Sequence, residues 1–445
     1  MAVTAITGEL ARAGLDGTVV DASHPDFDRL RRVYNAVIDR SPGAIVQAAT
    51  PSDVQKVVRI AADSGLPLAV RCGGHSFAGL GTCDEGIVCD LSGMDTVLVD
   101  PQTRTVDVGG GALLGDVDAA GERFGLVTPA GVVSHTGVGG LTLGGGMGYL
   151  SRRFGLTIDD LIGADIVTAD GRRSRVDADE QPELFWAIRG GGGNFGVVTR
   201  FKFRMHELGP VRIRRWAHPP GAVAQTLKRY RDAAATAPRE LTAAFVVTSE
   251  ELALRVIWSG SMVGAEAAVE RFAFPGGVQD PTSEMSFVEL QRASDELLPW
   301  GRRYYSKGGF LPGMDDRVIE VIADSVAESP LPGLEIYCLQ LGGAIADIDE
   351  DATAYSGRAA SFYWISQGVW DDPEDDERAI AWCRGAARRL GELSMNTNYV
   401  NEQADTGVAR SAYGESKYRR LGQLKWRYDP TNVFRLNQNI EPIPG

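Results

Sequence analysis

Five consecutive residues, Arg71-Cys72-Gly73-Gly74-His75, set a cation, a thiol and an imidazole around two glycines. A second run, Gly131 to Gly148, has glycine at eight of its eighteen positions and also carries His135, Thr136 and Thr142. Glycine lacks a Cβ, reaches positive φ at little cost and lets other groups approach the backbone. A lone Gly-Gly pair reads as a tight turn. Two such stretches together gather backbone N–H groups around an anion, with phosphate the leading choice. His75, closing the first loop, is then a candidate for contact with the ligand itself. Neither run is a common nucleotide signature. No G-x-x-x-x-G-K-[ST] occurs, and Gly109-Gly110-Gly111 lacks the later glycine of G-x-G-x-x-G.

The elements around these runs explain how they would be held. Thr50-Pro51-Ser52-Asp53 opens a helix: Thr50 is a good N-cap, Pro51 suits the first turn, and Asp53 sits where the helix dipole favours an anion. Val54, Val57, Val58, Ala61 and Ala62 recur at helical spacing. Short apolar runs flank it at 44–46 and 68–70, so strand–helix–strand with a parallel pair is expected. The Arg71–His75 loop leaves the end of a strand, where α/β sheets commonly bind ligands. Further strands are expected at 87–91, 97–100, 104–108, 162–169 and 196–205, with helices at 113–124 and 182–188. A third glycine loop follows at Gly190–Gly193 and leads to Asn194-Phe195-Gly196. Beyond Leu208-Gly209-Pro210 glycines thin out. A hairpin is expected from 241–248 and 252–259, further strands at 334–341 and 361–370, and helices at 222–235, 265–272, 317–328 and 376–393. That pattern is an antiparallel sheet backed by helices. The tail from Asn398 is aromatic and basic, with a turn at Asp429-Pro430-Thr431-Asn432.

At 445 residues the chain is long enough for two full cores, and its composition is ordinarily globular. Net charge −14 argues against nucleic-acid phosphates and anionic membrane surfaces as partners. No apolar run reaches the length of a membrane span, and Met1 to Asp21 lacks the pattern of a secretory signal. Five cysteines and five histidines show no metal-type spacing. The expectation is reduced structural thiols in a cytoplasmic protein without a metal centre. No nucleophile-elbow serine is present, which disfavours a hydrolase.

Taken together, the ordered motifs resemble one family. They are the Arg71–His75 loop, the 131–148 segment, Tyr149-Leu150-Ser151-Arg152-Arg153-Phe154-Gly155-Leu156-Thr157, Gly193-Asn194-Phe195-Gly196, Tyr399-Val400-Asn401 and the stretch Asp429 to Ile440. Nearly the whole chain resembles the FAD-linked oxidases of the vanillyl-alcohol-oxidase superfamily, and within it the bacterial berberine-bridge-enzyme-like group. The resemblance implies an α+β fold: a split FAD-binding domain (1–208 completed by 396–445) with an inserted antiparallel sheet-plus-helices substrate domain (209–395). It implies His75 as the residue joined to the flavin 8α-methyl, with Arg71, Cys72, Gly73, Gly74, Ser76 and Gly79 around the pyrophosphate. His135, Thr136, Gly137, Gly139, Gly140, Thr142, Leu143, Gly145, Gly146, Gly148, Tyr149, Gly196, Val198, Tyr399 and Asn401 complete the implied cofactor set, His135 as a loop hydrogen-bond partner rather than an acid or base. Many relatives carry a second tether, a cysteine in C-P-T-x-G-x-G-G. Aligning Gly137-Val138-Gly139-Gly140 puts Val133 there, so a single covalent link is expected.

A flavin oxidase needs a base for the proton its substrate loses and a path for oxygen, while the cofactor carries the redox step. Tyr399 matches the tail motif, and Glu402 follows it; a glutamate buried among apolar walls would have a raised pKa suited to a base. On the strand 361–367, Tyr363, Ile365 and Gln367 share one face and Trp364 and Ser366 the other. Arg303 to Lys307 matches a segment bordering the substrate site in relatives, and Lys307 is a candidate for anion binding or proton transfer. The expected function is hydride transfer from a small organic alcohol, amine or natural-product intermediate to FAD and then to O2, giving peroxide. A dehydrogenase or a redox-neutral or oxygenating tailoring enzyme of secondary metabolism is the alternative within the fold, and a non-enzymatic flavin-binding protein the alternative outside it.

Overall fold

The computed structural model of the chain describes residues 2–444. Thr50 caps the helix Pro51–Ser64: its hydroxyl accepts from the Asp53 N–H while the Asp53 carboxylate accepts from the Thr50 N–H. The same buried carboxylate accepts from Asp16, Gly17 and Ala49, so it also pins the chain entering the first sheet. Val54, Val57, Val58 and Ala61 turn inward as the periodicity predicts. The strands on either side, Ala44–Gln47 and Leu68–Arg71, run parallel but are not neighbours. Ile87–Asp90 lies between them and is parallel to both. The expected direct pair is thus corrected to three strands, because the central one comes from later in the chain. Arg71 ends the outer strand and delivers the glycine loop to the sheet edge.

A second sheet is antiparallel, in the order Val97–Asp100, Thr105–Gly109, Val197–Arg204, Leu161–Val167, Arg173–Val176. The helix Pro182–Ile188 packs on it, and the third glycine loop follows that helix. Part of the 131–148 run is itself a short helix, Val138–Gly144, where the sequence suggested only loop.

The largest sheet has eight strands, all antiparallel, built around Val211–His218, Leu252–Trp258, Leu241–Val247, Leu334–Gln340, Phe362–Trp370 and Arg303–Leu311 in that spatial order. One face is covered by the helices Val223–Ala234, Asp316–Ala327 and Asp376–Gly391. Leu227, Tyr230, Ile319, Ile322, Trp382 and Ala386 pack there against Phe245, Leu254, Ile336, Cys338 and Trp364. The other face meets the glycine segment and the tail through Met147, Tyr355, Leu339, Tyr363, Ile365 and Tyr399.

The tail returns to the first half of the chain. Its helix Ala409–Tyr428, kinked at Gly414, packs Tyr413, Tyr418, Leu421 and Leu424 with Phe185 and Trp186. A buried ion pair, Lys425 Nζ to Asp429 at 2.6 Å, closes that helix; Lys425 also donates to the carbonyls of Asn194 and Phe434. Asn194 in turn joins the Gln438 carbonyl and the Ile440 N–H. Among the described residues no helix is long and apolar enough to cross a membrane.

Candidate active site

The two glycine loops meet backbone to backbone. A Cβ on Gly73 would lie 2.3 Å from the Gly137 nitrogen, and one on Gly137 would lie 2.3 Å from the Gly73 nitrogen and 2.6 Å from Cys72 Sγ. Only glycine permits this crossing. Beneath it Arg71 is buried and paired with Asp90 at 2.6 Å, so its guanidinium holds the loop to the central strand. The Cys72 thiol donates to the Ala112 carbonyl, and burial pushes it up to about 11, which leaves it protonated.

His75 projects from this loop with its ring stacked on Tyr34 at 4.1 Å. Its Nε2 is 2.6 Å from Nδ1 of His135. His135 turns Nε2 towards the Asp295 carboxylate, 4.0 Å away, and the neighbouring Ser134 binds Asp295 through both its N–H and its hydroxyl. The carboxylate favours a proton on His135 Nε2, so His135 Nδ1 accepts from His75. His75 Nδ1 is left with its lone pair. Burial, reinforced by His135, lowers the His75 pKa to about 3, so the ring is neutral.

From these loops a cavity of about 1240 Å³ extends to the large sheet. It exceeds the roughly 300–1,000 Å³ usual for one small-molecule ligand. A Cβ on Gly140 or Gly193 would meet nothing within 4 Å beyond its own chain neighbours and helix turn, and both residues line the cavity, so neither position crowds it. Asn437 Oδ1 and Gln438 Oε1, on the same wall, have no hydrogen-bond partner. Glycine backbone, orphaned amide oxygens and a neutral imidazole are a donor and acceptor set that fits a dinucleotide.

The tail supplies the far wall. The Tyr399 hydroxyl accepts from the Gly146 N–H at 3.1 Å and from Asn401 Nδ2 at 2.9 Å, which leaves its own proton to donate. Glu402 lies beside Tyr399 and Tyr363, and its Oε2 has no hydrogen-bond partner. Burial raises the Glu402 carboxyl to about 7, with the Tyr363 hydroxyl acting in the opposite direction. Tyr363, Ile365 and Gln367 all face the cavity, and Trp364 enters the helix-backed core, as strand alternation predicts. Gln367 donates to Glu335, a buried carboxyl that burial also pushes up.

Several expected residues stand elsewhere. Lys307 does not reach the cavity. Its strand pairs Ser306 with Gln367 and Gly308 with Ile365, so Lys307 takes the opposite face, where it donates to Asp405 at 2.8 Å. Against the opposing effect of burial, Lys307, Arg384 and Tyr305 hold the Asp405 carboxyl down at about 2. Gly79, Thr142, Gly145, Gly146 and Gly148 do not line the cavity. Gly146 is packed on Thr157 and Gly148 on the Ala130 carbonyl, so these glycines serve close packing. His135 touches His75 from behind rather than the cavity. Arg71, Cys72, Gly73, Gly74, Ser76, Thr136, Gly137, Gly139, Gly140, Leu143, Tyr149, Gly196, Val198, Tyr399 and Asn401 do line it. Sequence reasoning missed Tyr34, Arg255, Glu335 and Tyr337. For the last three a signal existed: each is a polar residue at the inward parity of an otherwise apolar strand.

Comparison with known proteins agrees with this geometry. The family described as FAD binding domain matches residues 42–177, and the family described as Berberine and berberine like matches residues 397–441. An FAD-linked oxidoreductase of Dictyostelium discoideum is 32% identical over 446 residues, covering 99% of this chain and 98% of that protein. The (R)-6-hydroxynicotine oxidase of Paenarthrobacter nicotinovorans is 31% identical, covering 96% and 97%. Among solved structures, 6-hydroxy-D-nicotine oxidase from Arthrobacter nicotinovorans superposes with a TM-score of 0.87 at 27% identity, covering 97% of this chain and 99% of that one. The BBE-like 1 protein of Physcomitrella patens shares the fold with a TM-score of 0.91 at 23% identity, covering 99% of each chain. With a glycine-lined cavity that its own tail closes, and with relatives matched from end to end, the chain belongs to the berberine-like FAD-linked oxidoreductases of the vanillyl-alcohol-oxidase superfamily.

Proposed function

We propose that the protein is an oxidase whose FAD is tethered once, through His75, and which oxidises a small organic substrate at the expense of O2, releasing H2O2. Bound flavin would supply hydride acceptance from the substrate and reoxidation by oxygen. The protein's part is to hold the reactants and move a proton. One observation carries the reading: a carboxyl poised near neutrality, Glu402, with an unpartnered oxygen, stands beside Tyr399 and Tyr363 in the cavity that the glycine loops open. An acid tuned to the working pH is what general-base catalysis needs. Glu402 takes the proton from the substrate, Tyr399 orients the substrate through its free O–H, and the Tyr363–Gln367 face covers the reacting group.

The tether is supported by the same logic. A neutral His75 with a lone pair on Nδ1, its other nitrogen held by His135, presents a nucleophile in one orientation. Val133, buried on the cavity wall, offers no thiol for a second bond. The similarity to an enzyme named (R)-6-hydroxynicotine oxidase supports oxidase chemistry over the alternatives. Two measurements test the proposal. The acid-precipitated protein should stay yellow and fluoresce on a denaturing gel, and His75→Ala should release the flavin. Turnover should yield peroxide in step with substrate consumed; flavin reduction without peroxide release would instead indicate a dehydrogenase or a tailoring enzyme.

A further inference from the structure

The sheet face that looks into the cavity carries a cation, Arg255, that no carboxylate contacts directly among the described residues. Strand Leu252–Trp258 alternates: Leu252, Leu254 and Val256 enter the helix-backed core, while Ala253 and Arg255 line the cavity. Arg255 Nη1 donates to the Tyr149 hydroxyl at 2.8 Å, and that hydroxyl is shared with Ser294 Oγ at 3.1 Å. Among the described residues no carboxylate forms an ion pair with Arg255. The other arginines lining the cavity differ in this respect: Arg71 is paired with Asp90, Arg215 with Glu251 and Asp280, and Arg302 with Asp371. The Arg255 charge is held in the wall by the Tyr149 hydroxyl and, at longer range, by Glu335, with no carboxylate in direct contact among the described residues. An arrangement that pairs every other cavity arginine and leaves this one open reserves it for something that enters. Tyr337, on the same face, adds a hydroxyl with no protein partner among the described residues. Glu335, the acid whose charge acts on Arg255, forms no ion pair with it among the described residues. Glu335 is engaged by Gln367, and burial favours the neutral forms of both Glu335 and Glu402.

Resting on the reading of this cavity as a substrate site, we propose that the substrate carries a carboxylate, bound by Arg255 together with the hydroxyls of Tyr149 and Tyr337. Guanidinium is suited to this: its planar fork matches a carboxylate, and charge-assisted bonds are about twice as strong as neutral ones. The sheet also sets a direction. Arg255 pairs with Ala244, Ala244 with Leu339 and Leu339 with Tyr363, so Arg255 and Tyr363 share one cross-strand row. At about 4.8 Å per strand their backbones are roughly 14 Å apart. A substrate anchored by its acid at Arg255 extends along this row towards Tyr363 and Glu402.

The test is binding, not turnover. The purified flavin-containing protein is titrated calorimetrically at pH 7.5 with matched acids and primary amides: benzoate and benzamide, phenylacetate and phenylacetamide, cinnamate and cinnamamide. At least one acid should bind about 10- to 100-fold more tightly than its amide. Arg255→Met should bring each pair to within about threefold, and Arg255→Lys should keep part of the preference. No acid outbinding its amide would overturn the proposal. So would a preference that survives Arg255→Met, or an Arg255→Met variant whose flavin spectrum shifts while acid binding stays unchanged, which would assign the guanidinium to the cofactor. Because no step of this assay consumes substrate or oxygen, a failed oxidase reading leaves its result intact, and a failed acid preference leaves the oxidase reading intact.

Discussion

Replacing Glu402 by glutamine separates two effects that the wild-type carboxyl combines. Burial holds the group near pH 7 instead of its ordinary 4.5. A carboxyl with a raised folded-state pKa binds its proton more tightly in the folded chain than in the unfolded one. Stability therefore falls as pH rises through this window, and the deficit is complete above about 7. At 1.36 kcal/mol per pKa unit it amounts to about 3 kcal/mol. Glutamine cannot ionise, so Glu402→Gln should melt a few degrees above the wild type at pH 8 and close to it at pH 4.5. The chemistry should move the other way. Loss of a general base typically slows the step by about 10²–10⁴-fold. In the wild type, the share of ionised base falls about 30-fold between pH 8 and pH 5.5 for a group with pKa near 7, and the rate should follow it. The assays are thermal melts at the two pH values and anaerobic flavin reduction with flavin still attached. A variant that reduces flavin at wild-type speed, or melts below the wild type at pH 8, would refute the assignment.

Tyr399→Phe should show the opposite stability sign, losing about 1–3 kcal/mol, because the Gly146 N–H loses its acceptor; its flavin reduction should slow less than that of Glu402→Gln. Proteolysis of the holoprotein should give a single flavin peptide containing His75, and a thioether at Cys72 or Cys83 by mass spectrometry would overturn single attachment; Val133→Cys should gain a second link. Gly137→Ala should destabilise the chain by about 1–3 kcal/mol and lower flavin content, because its methyl would collide with the Gly73 backbone. Lys307→Met should leave the rate of flavin reduction unchanged, since its amine serves Asp405 on the far face of the sheet.

What the sequence makes legible follows the range of the interactions involved. The helix at 51–64 is specified by its own cap and period, and it stands where they put it. Alternation along 361–367 sorts Tyr363 and Gln367 from Trp364 without help from the rest of the chain. Lys307 shows the limit. Whether it faces the cavity depends on which residues of the neighbouring strand it sits between, and no local pattern encodes that register. The central strand 87–90 is a strand by its own apolar run, but its insertion between two earlier strands is a long-range choice. The tail helix is hidden because Gly414 and Gly422 interrupt a stretch rich in lysine and arginine, and only packing on Phe185 and Trp186 gives it a buried side. Arg255 and Glu335 were visible as charges in apolar strands, but a charge shows its purpose only once its partner, or the lack of one, is seen.

The large sheet has one face fixed against helices and one open to the cavity, and these faces alternate residue by residue along the strand Phe362–Trp370. From Phe362 to Val369 stability and selectivity are thereby written on one strand without sharing positions; the terminal Trp370 serves both. Changes at 363, 365, 367 or 369 alter what the cavity admits while the helix-backed core keeps its packing; changes at 364 or 366 do the reverse. A lineage can then exchange substrates by steps that each leave a folded protein, so one framework can spread across many chemistries without passing through unstable intermediates.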